Sequence, residues 1–378
     1  MGTMMKRGAT SDLEKGTCKR AKNAQNPFIP EPKQKNLLNI ATREWEVANS
    51  YFKTPQGEWR ARRTKMSKKL HKTNHSFLKF DEEIIALANR NIEKILGEGS
   101  FGLVKIGQAE SGENCAIKIE AGKKREESVE EVKVMKRLKY HLGETSRTFN
   151  KEKEFKGEQT KSKRYTALKL CKGEELEALL SGKDHLSYTQ KLIIAIKASE
   201  ALLEAHKLRV IHADIKAKNM VTDVNANEIT VELVDFDFSM LLPEHREHIY
   251  DGVKGTKGYM APEIKEDKVF SFYTDIFALG AMFKKDLGLP DFLYEHMLHD
   301  EPKKRCSLIE TIMNLINELS KQPHLDIATL EFIEMMKLKY ESKKVLLTGF
   351  SYYMQQTVNT LTEIPKMASD YFKYYFKP

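Results

Sequence analysis

Val210-Ile211-His212-Ala213-Asp214-Ile215-Lys216-Ala217-Lys218-Asn219 is the stretch on which the fold turns. Two apolar residues lead into a carboxylate (Asp214), then an ammonium (Lys216), then a carboxamide (Asn219). Four further stretches stand around it in one order. Upstream are Gly97-Glu98-Gly99-Ser100-Phe101-Gly102 and Ala116-Ile117-Lys118; downstream are Asp235-Phe236-Asp237 and Ala261-Pro262-Glu263. Each alone is compatible with many proteins. Their joint order and separation carry the reading.

Local patterns support it. Asn91 to Glu120 alternates as strand, glycine turn, strand, turn, strand, with Ser111-Gly112-Glu113 as the second turn. Val132, Met135 and Leu138 recur at helical spacing between Ser128 and Tyr140. Residues 141–163 are lysine-rich without clear periodicity, Tyr165 to Leu170 reads as a strand, and Ser187 to Lys207 as a long, largely buried helix. Val231 to Val234 reads as the strand that delivers Asp235.

Composition bounds the rest. The 378 residues exceed one ordinary core, and 40% hydrophobic with 31% charged residues is a globular balance. No apolar run is long enough to span a membrane, and Met1 to Arg20 lacks the apolar segment of a secretory signal. Cys18, Cys115, Cys171 and Cys306 show no paired spacing, which argues for a reducing, intracellular setting and against disulfides or structural zinc. Residues 1–80 carry 18 of the 63 Lys and Arg but 6 of the 54 Asp and Glu, leaving 45 against 48 elsewhere. The net charge of +9 therefore belongs to the N-terminal part. Residues 1–40 read as a flexible tail. Trp45, Tyr51, Phe52, Trp59 and Phe77 predict that part of 41–80 packs on the body. Lys6-Arg7 and Lys19-Arg20-Ala21-Lys22 resemble a bipartite nuclear import signal, and Arg60 to Lys72 offers nonspecific contact to acidic partners or nucleic acid.

Taken together, the five stretches resemble the catalytic set of a eukaryotic-type serine/threonine protein kinase over about residues 90 to 320. Ala213 stands where most kinases carry an arginine, and Asp237 where they carry glycine. His-x-Asp-Ile-Lys-Ala-x-Asn is also similar to the vaccinia-related branch of the casein kinase group. The resemblance implies an α+β, bilobal protein-kinase fold with a small β-rich N-lobe and a larger helical C-lobe. The expected divisions are 1–80, a basic and partly disordered extension; 81–172, the N-lobe; 173–320, a C-lobe with a shortened substrate-docking region; and 321–378, a helical, aromatic-rich extension.

Site roles follow from that resemblance. ATP would lie under Gly97, Gly99, Ser100, Phe101 and Gly102, where the three glycines lack side chains and let backbone N–H groups face phosphate. Val104, Ala116, Leu168 and Val221 would enclose the adenine, Lys169 and Cys171 would meet it through their backbone, and Glu175 would approach the ribose or a basic substrate side chain. Lys118 alone would read as a surface cation; among these motifs it is expected on the α- and β-phosphates, paired with Glu131 in preference to Glu126, Glu127 or Glu130. Asp214 would accept the hydroxyl proton, Lys216 would reach the γ-phosphate, and Asn219 and Asp235 would hold Mg²⁺. His212 is expected in packing. Thr256 is expected on Asp214 and Lys216, Glu263 in a buried pair with Arg305, and Asp275 beneath the catalytic loop. Alanine at 213 cannot answer a phosphate, so activity is expected without activation-segment phosphorylation. Asp237 leaves two alternatives open: a nucleotide-binding pseudokinase scaffold, or a small-molecule phosphotransferase.

Overall fold

The glycine turns and alternating strands form one antiparallel sheet: β1 (His75–Phe80), β2 (Glu83–Ala88), β3 (Ile95–Gly99), β4 (Gly102–Ala109), β5 (Asn114–Ala121), β6 (His141–Phe149) and β7 (Lys161–Lys169). The structure is a computed structural model and describes residues 38, 40–52, 75–80, 83–88, 95–99, 102–121, 127–149, 161–182, 185–225 and 228–340. Strand order is β1-β2-β4-β5-β7-β6, with β3 on the first half of β4. The sheet curls until β1 approaches β6. Gly143 lies against Phe80 at this approach, where even a Cβ would stand at an ordinary contact distance of 3.5 Å.

Period-two alternation sorts the side chains onto two faces. Cys115, Ile117, Tyr165 and Ala167 join Leu78, Phe80, Ile85 and Leu87 in a closed apolar cluster. The register pairs Val104 with Lys118 and Ala116 with Leu168, so these four share the opposite face. The helix Glu127–Arg137 turns Glu131, Val132, Val134 and Met135 inward.

Two sequence expectations shift here. Residues 141–163, read as patternless, include all of β6 and the start of β7; β6 closes the sheet order, where exposed charge is tolerated. Residues 75–80, assigned to the N-terminal extension, form β1 of the same sheet. The helix Thr42–Phe52 packs on it: Ala48 clusters with Phe77, Ile84 and Ala86, and the Trp45 ring meets Phe77 edge-on at 5.2 Å. His75 fastens this corner, 3.0 Å from Glu44 Oε2 and 2.9 Å from the Leu38 carbonyl.

Beyond Lys169 the chain is mainly helical. The helix Tyr188–Lys207 starts at a capping box, Ser187 with Gln190, and buries Leu192, Ile194, Ala195, Ile196 and Leu202 completely. The helix Phe272–Met282 is capped by Ser271 and Thr274 and continues as one π-helical turn, Phe283–Leu287, that stops at left-handed Gly288. The helix Leu308–Leu319 and the helical residues 327–340 close the core with Leu315, Ile316, Ile333, Met336 and Tyr340. The C-terminal aromatics from Tyr352 onward lie outside the described residues.

Candidate active site

The catalytic stretch leaves the two-residue strand Val210–Ile211 and crosses a short 3-10 turn, Ala217–Asn219, into the strand Met220–Val224. Its backbone is held from below by one carboxylate. Asp275 Oδ2 accepts from the His212 N–H and Oδ1 from the Ala213 N–H, both at 2.8 Å. His206 Nε2 lies 3.0 Å from the same Oδ2 and stacks on Phe272 at 4.5 Å. Ala213 is left-handed, with φ +65°, so this loop stores backbone strain that Asp275 counters. The expected role of Asp275 holds.

Above it, three side chains close a triangle. Thr256 Oγ1 donates to Asp214 Oδ1 at 2.7 Å, Lys216 Nζ donates to Asp214 Oδ2 at 2.6 Å, and Lys216 Nζ donates to Thr256 Oγ1 at 2.7 Å. Asn219 Nδ2 braces the group, 2.9 Å from the Asp214 carbonyl and 3.0 Å from Oδ2. Burial alone would raise the Asp214 pKa, but the bonds from Lys216 and Thr256, with the Lys216 charge, hold it below the usual aspartate value. Asp214 is thus an ionised acceptor.

Asp235, also left-handed at φ +62°, follows the strand Ile229–Leu233. Its carboxyl is raised, first by burial and then by the Asp237 charge. Phe236 is buried between the His212 ring at 4.8 Å and Tyr140 at 5.8 Å, and shares the core cluster of Met135. His212 Nε2 lies 3.1 Å from the Val234 carbonyl. His212 therefore serves packing, as expected.

Across the cleft, Lys118 Nζ donates to Glu131 Oε1 at 2.6 Å. Glu130 instead turns outward to Lys133, 3.1 Å away, while Glu126 and the Glu127 side chain lie outside the described residues. Lys118 also donates to Asp237, a contact no motif announces. Burial would lower the Lys118 pKa, but the Glu131 and Asp237 carboxylates outweigh it and hold the ammonium above its ordinary value. Glu131 is raised, chiefly by burial and further by Asp237 and Glu120.

The nucleotide-side residues are distributed as follows. Gly97 faces open space, whereas a Cβ at Gly102 would run into the Ile119 carbonyl, so Gly102 serves close strand packing at φ +152°. Ser100 and Phe101 lie outside the described residues, as does the Gly99 side of the turn in its burial. Leu168 is half-buried. The Lys169 N–H is committed to the Tyr140 carbonyl at 2.8 Å and its ammonium to Glu232 at 2.5 Å. Burial pushes the Cys171 thiol up to about 12, so the sulfur stays protonated and unreactive. Val221 pairs with Glu175 across the strands Glu174–Glu175 and Met220–Val224.

The donor set fits a magnesium–nucleotide. Among the described residues no group of three or more His, Cys, Asp or Glu could hold a metal alone. Asp235 and Asn219 offer one carboxylate and one amide oxygen, the sparse protein share expected where phosphates complete the shell of Mg²⁺. The Asp235 carboxyl is raised by burial and then by Asp237, and a cation beside it would offset both costs.

Sequence reasoning missed two anchors. Asp286, in the π-helical turn, accepts from the Ala217 N–H at 3.2 Å and from the Tyr259 hydroxyl at 2.7 Å, tying the catalytic loop to the segment after Thr256. Arg209 reaches forward to the Pro243, Arg246 (2.8 Å) and Leu242 (3.3 Å) carbonyls while its guanidinium lies over Phe272. Neither lies in a motif, and no spacing pattern in the sequence singles them out.

Comparison with known proteins places these residues in a family context. The protein kinase domain matches residues 90–344. Serine/threonine-protein kinase 33 of Mus musculus is 28% identical over 228 residues, 56% of this chain and 45% of that protein. The probable serine/threonine-protein kinase zyg-1 of Caenorhabditis briggsae is 28% identical over 247 residues, 59% of this chain and 33% of that protein. The probable cell cycle serine/threonine-protein kinase CDC5 homolog of Encephalitozoon cuniculi is 26% identical over 268 residues, 67% of this chain and 54% of that protein. The aligned part thus spans between 33% and 54% of these relatives.

Proposed function

We propose, from the premise that this chain belongs to the protein kinase domain family, that it transfers the γ-phosphoryl group of ATP to serine and threonine hydroxyls of proteins. The observation that carries this reading is the triangle of Asp214, Lys216 and Thr256, with every side within 2.7 Å. A lysine at 216 and a threonine at 256 build a site for a short aliphatic hydroxyl.

Protein kinases generally use ATP and Mg²⁺, and when bound these supply the phosphoryl group and neutralise charge developing on its oxygens. Asp235 and Asn219 would hold the metal. The chain's own work is positional. Asp214, kept ionised, takes the proton of the attacking hydroxyl and orients its oxygen; Lys216 balances charge beside it. Lys118, fixed by Glu131, orients the α- and β-phosphates. Under Val104, Ala116, Leu168 and Val221, the base would meet the Lys169 carbonyl and the Cys171 N–H, with Gly97, Gly99, Ser100, Phe101 and Gly102 above the phosphates and Glu175 beside the sugar.

Ala213 removes the usual phosphate-binding arginine, and Arg209 supplies a phosphate-free hold on residues 242–246. Activity, including autophosphorylation, is proposed not to need activation-segment phosphate. The basic N-terminal part is proposed to contact acidic partners or nucleic acid and to direct nuclear import. No helix among the described residues is long and apolar enough to cross a membrane.

The test is incubation with labelled ATP, Mg²⁺ and generic protein substrates. Asp214→Ala should lose incorporation by at least about a hundredfold, while phosphatase treatment leaves the wild-type rate unchanged. Undiminished label in Asp214→Ala would sink the reading. Nucleotide binding without turnover would favour a pseudokinase, and transfer only to small alcohols or amines a small-molecule phosphotransferase.

A further inference from the structure

Asp237 is the charged group in the cleft that the proposed reaction does not use. Its side chain is 7% exposed, and it hydrogen-bonds the Lys118 ammonium from 119 residues away in sequence. Lys118 has three N–H donors. Glu131 takes one at 2.6 Å, Asp237 takes another, and Glu120 lies 3.7 Å away on a further side, itself 3.4 Å from Arg164. Two of its donors are therefore committed to carboxylates, with a third carboxylate close by. Phosphate oxygens that engage more than one donor must take a place that a carboxylate holds.

We propose that Asp237 is an internal competitor for the nucleotide: it occupies Lys118 in the free chain and must be displaced for phosphate to bind. Glu131 is not the group displaced, because it sits on the packed helix Glu127–Arg137, itself buried and one turn before buried Val134 and Met135. Asp237 stands instead on an irregular connection between the strands Ile229–Leu233 and Met240–Leu241, where a side chain can swing without breaking a helix or a ladder. Charge points the same way. Glu131, Asp237 and Glu120 crowd one ammonium, so an incoming polyanion gains more from Lys118 once Asp237 has left it.

Backbone strain does not enter. Residue 237 is not among the left-handed positions, so aspartate there costs nothing that glycine would relieve. A substitution consequently reads the carboxylate and not the turn. Aspartate in place of glycine therefore does not restrict the loop. It also makes the near-isosteric Asp237→Asn the informative variant.

The inference rests on the reading that Lys118 meets nucleotide phosphates. It is tested on the full chain by titrating a fluorescent ATP analogue with Mg²⁺ into wild type, Asp237→Asn and Asp237→Gly, each also in a Lys118→Met background. Asp237→Asn should bind about tenfold more tightly, ~1.4 kcal/mol, with a matching fall in KM for ATP. The gain should vanish when Lys118 is methionine. Equal or weaker binding by both Asp237 variants overturns the inference, and so does a gain that survives Lys118→Met. A raised Mg²⁺ requirement in Asp237→Asn also overturns it, since that makes Asp237 a metal ligand. A wild type that binds no nucleotide overturns the kinase reading and this inference together; normal binding with no gain overturns this inference alone.

Discussion

Arg305 forks onto Glu263 across 42 residues of sequence, Nη1 to Oε1 at 2.7 Å and Nη2 to Oε2 at 2.8 Å, with the guanidinium side chain wholly buried. Its remaining donors reach the His299, Asp300 and Tyr273 carbonyls, and its plane lies over Phe277 at 4.9 Å. The pair joins the short helix Pro262–Glu266 to the start of the helix Leu308–Leu319. Breaking one side strands a buried charge. Arg305→Ala or Glu263→Ala should each cost about 3–5 kcal/mol in denaturant unfolding, whereas replacing both with apolar residues of similar size should cost much less. Equal losses in single and double variants would count against this account.

Thr256 should matter to turnover rather than to nucleotide binding. Its hydroxyl orients Asp214 and Lys216 at once. Thr256→Val should lower kcat by roughly ten- to a hundredfold with KM for ATP little changed, and Thr256→Ser should recover most of the rate. Failure of serine to rescue would assign Thr256 to packing.

Arg209 should hold the segment that follows Asp235-Phe236-Asp237. Without its bonds to Leu242, Pro243 and Arg246 those carbonyls face solvent unpaired by the side chain. Arg209→Met should make residues 240–260 more open to limited proteolysis while leaving the helical core's protection intact. An unchanged cleavage pattern would remove Arg209 from this role.

The lowered pKa of Asp214 has a signed consequence for stability. Because the folded value lies below the unfolded one, ionised Asp214 stabilises the fold above about pH 3.9, and that contribution is lost as pH falls through the folded value. The Tm of wild type relative to Asp214→Asn should therefore rise on going from about pH 3 to about pH 5. A constant difference across that window would show that the bonds from Lys216 and Thr256 do not discriminate the ionised form.

Much of this was legible because the relevant signals are local. Ser187 with Gln190 starts the helix Tyr188–Lys207, where a hydroxyl and a side-chain amide satisfy otherwise orphaned donors. Glu131 stood out from its neighbours because Met135 and Leu138 lie four and seven positions on, and that helical face is the buried one. The strand β6 was illegible because an edge strand needs no strict alternation, and its polar residues hide the period. The place of residues 75–80 in the sheet was missed for a related reason: Phe77 and Phe80 have their partners in β2, the helix Thr42–Phe52 and the curl toward β6.

Residue types and spacings by themselves determined that a carboxylate, an ammonium and an amide share one loop, that a second carboxylate follows a strand, and that a lysine sits mid-strand facing a helix with a glutamate. Those are consequences of chain-local periodicity. Which groups touch was decided only by the tertiary structure. Asp237 meets Lys118, Asp286 meets Tyr259, and Arg209 meets the 242–246 carbonyls through contacts between segments whose one-dimensional patterns are independent. The physical reason is range: hydrogen bonds and ion pairs act over a few ångströms, and the packing of lobes sets which charges come that near.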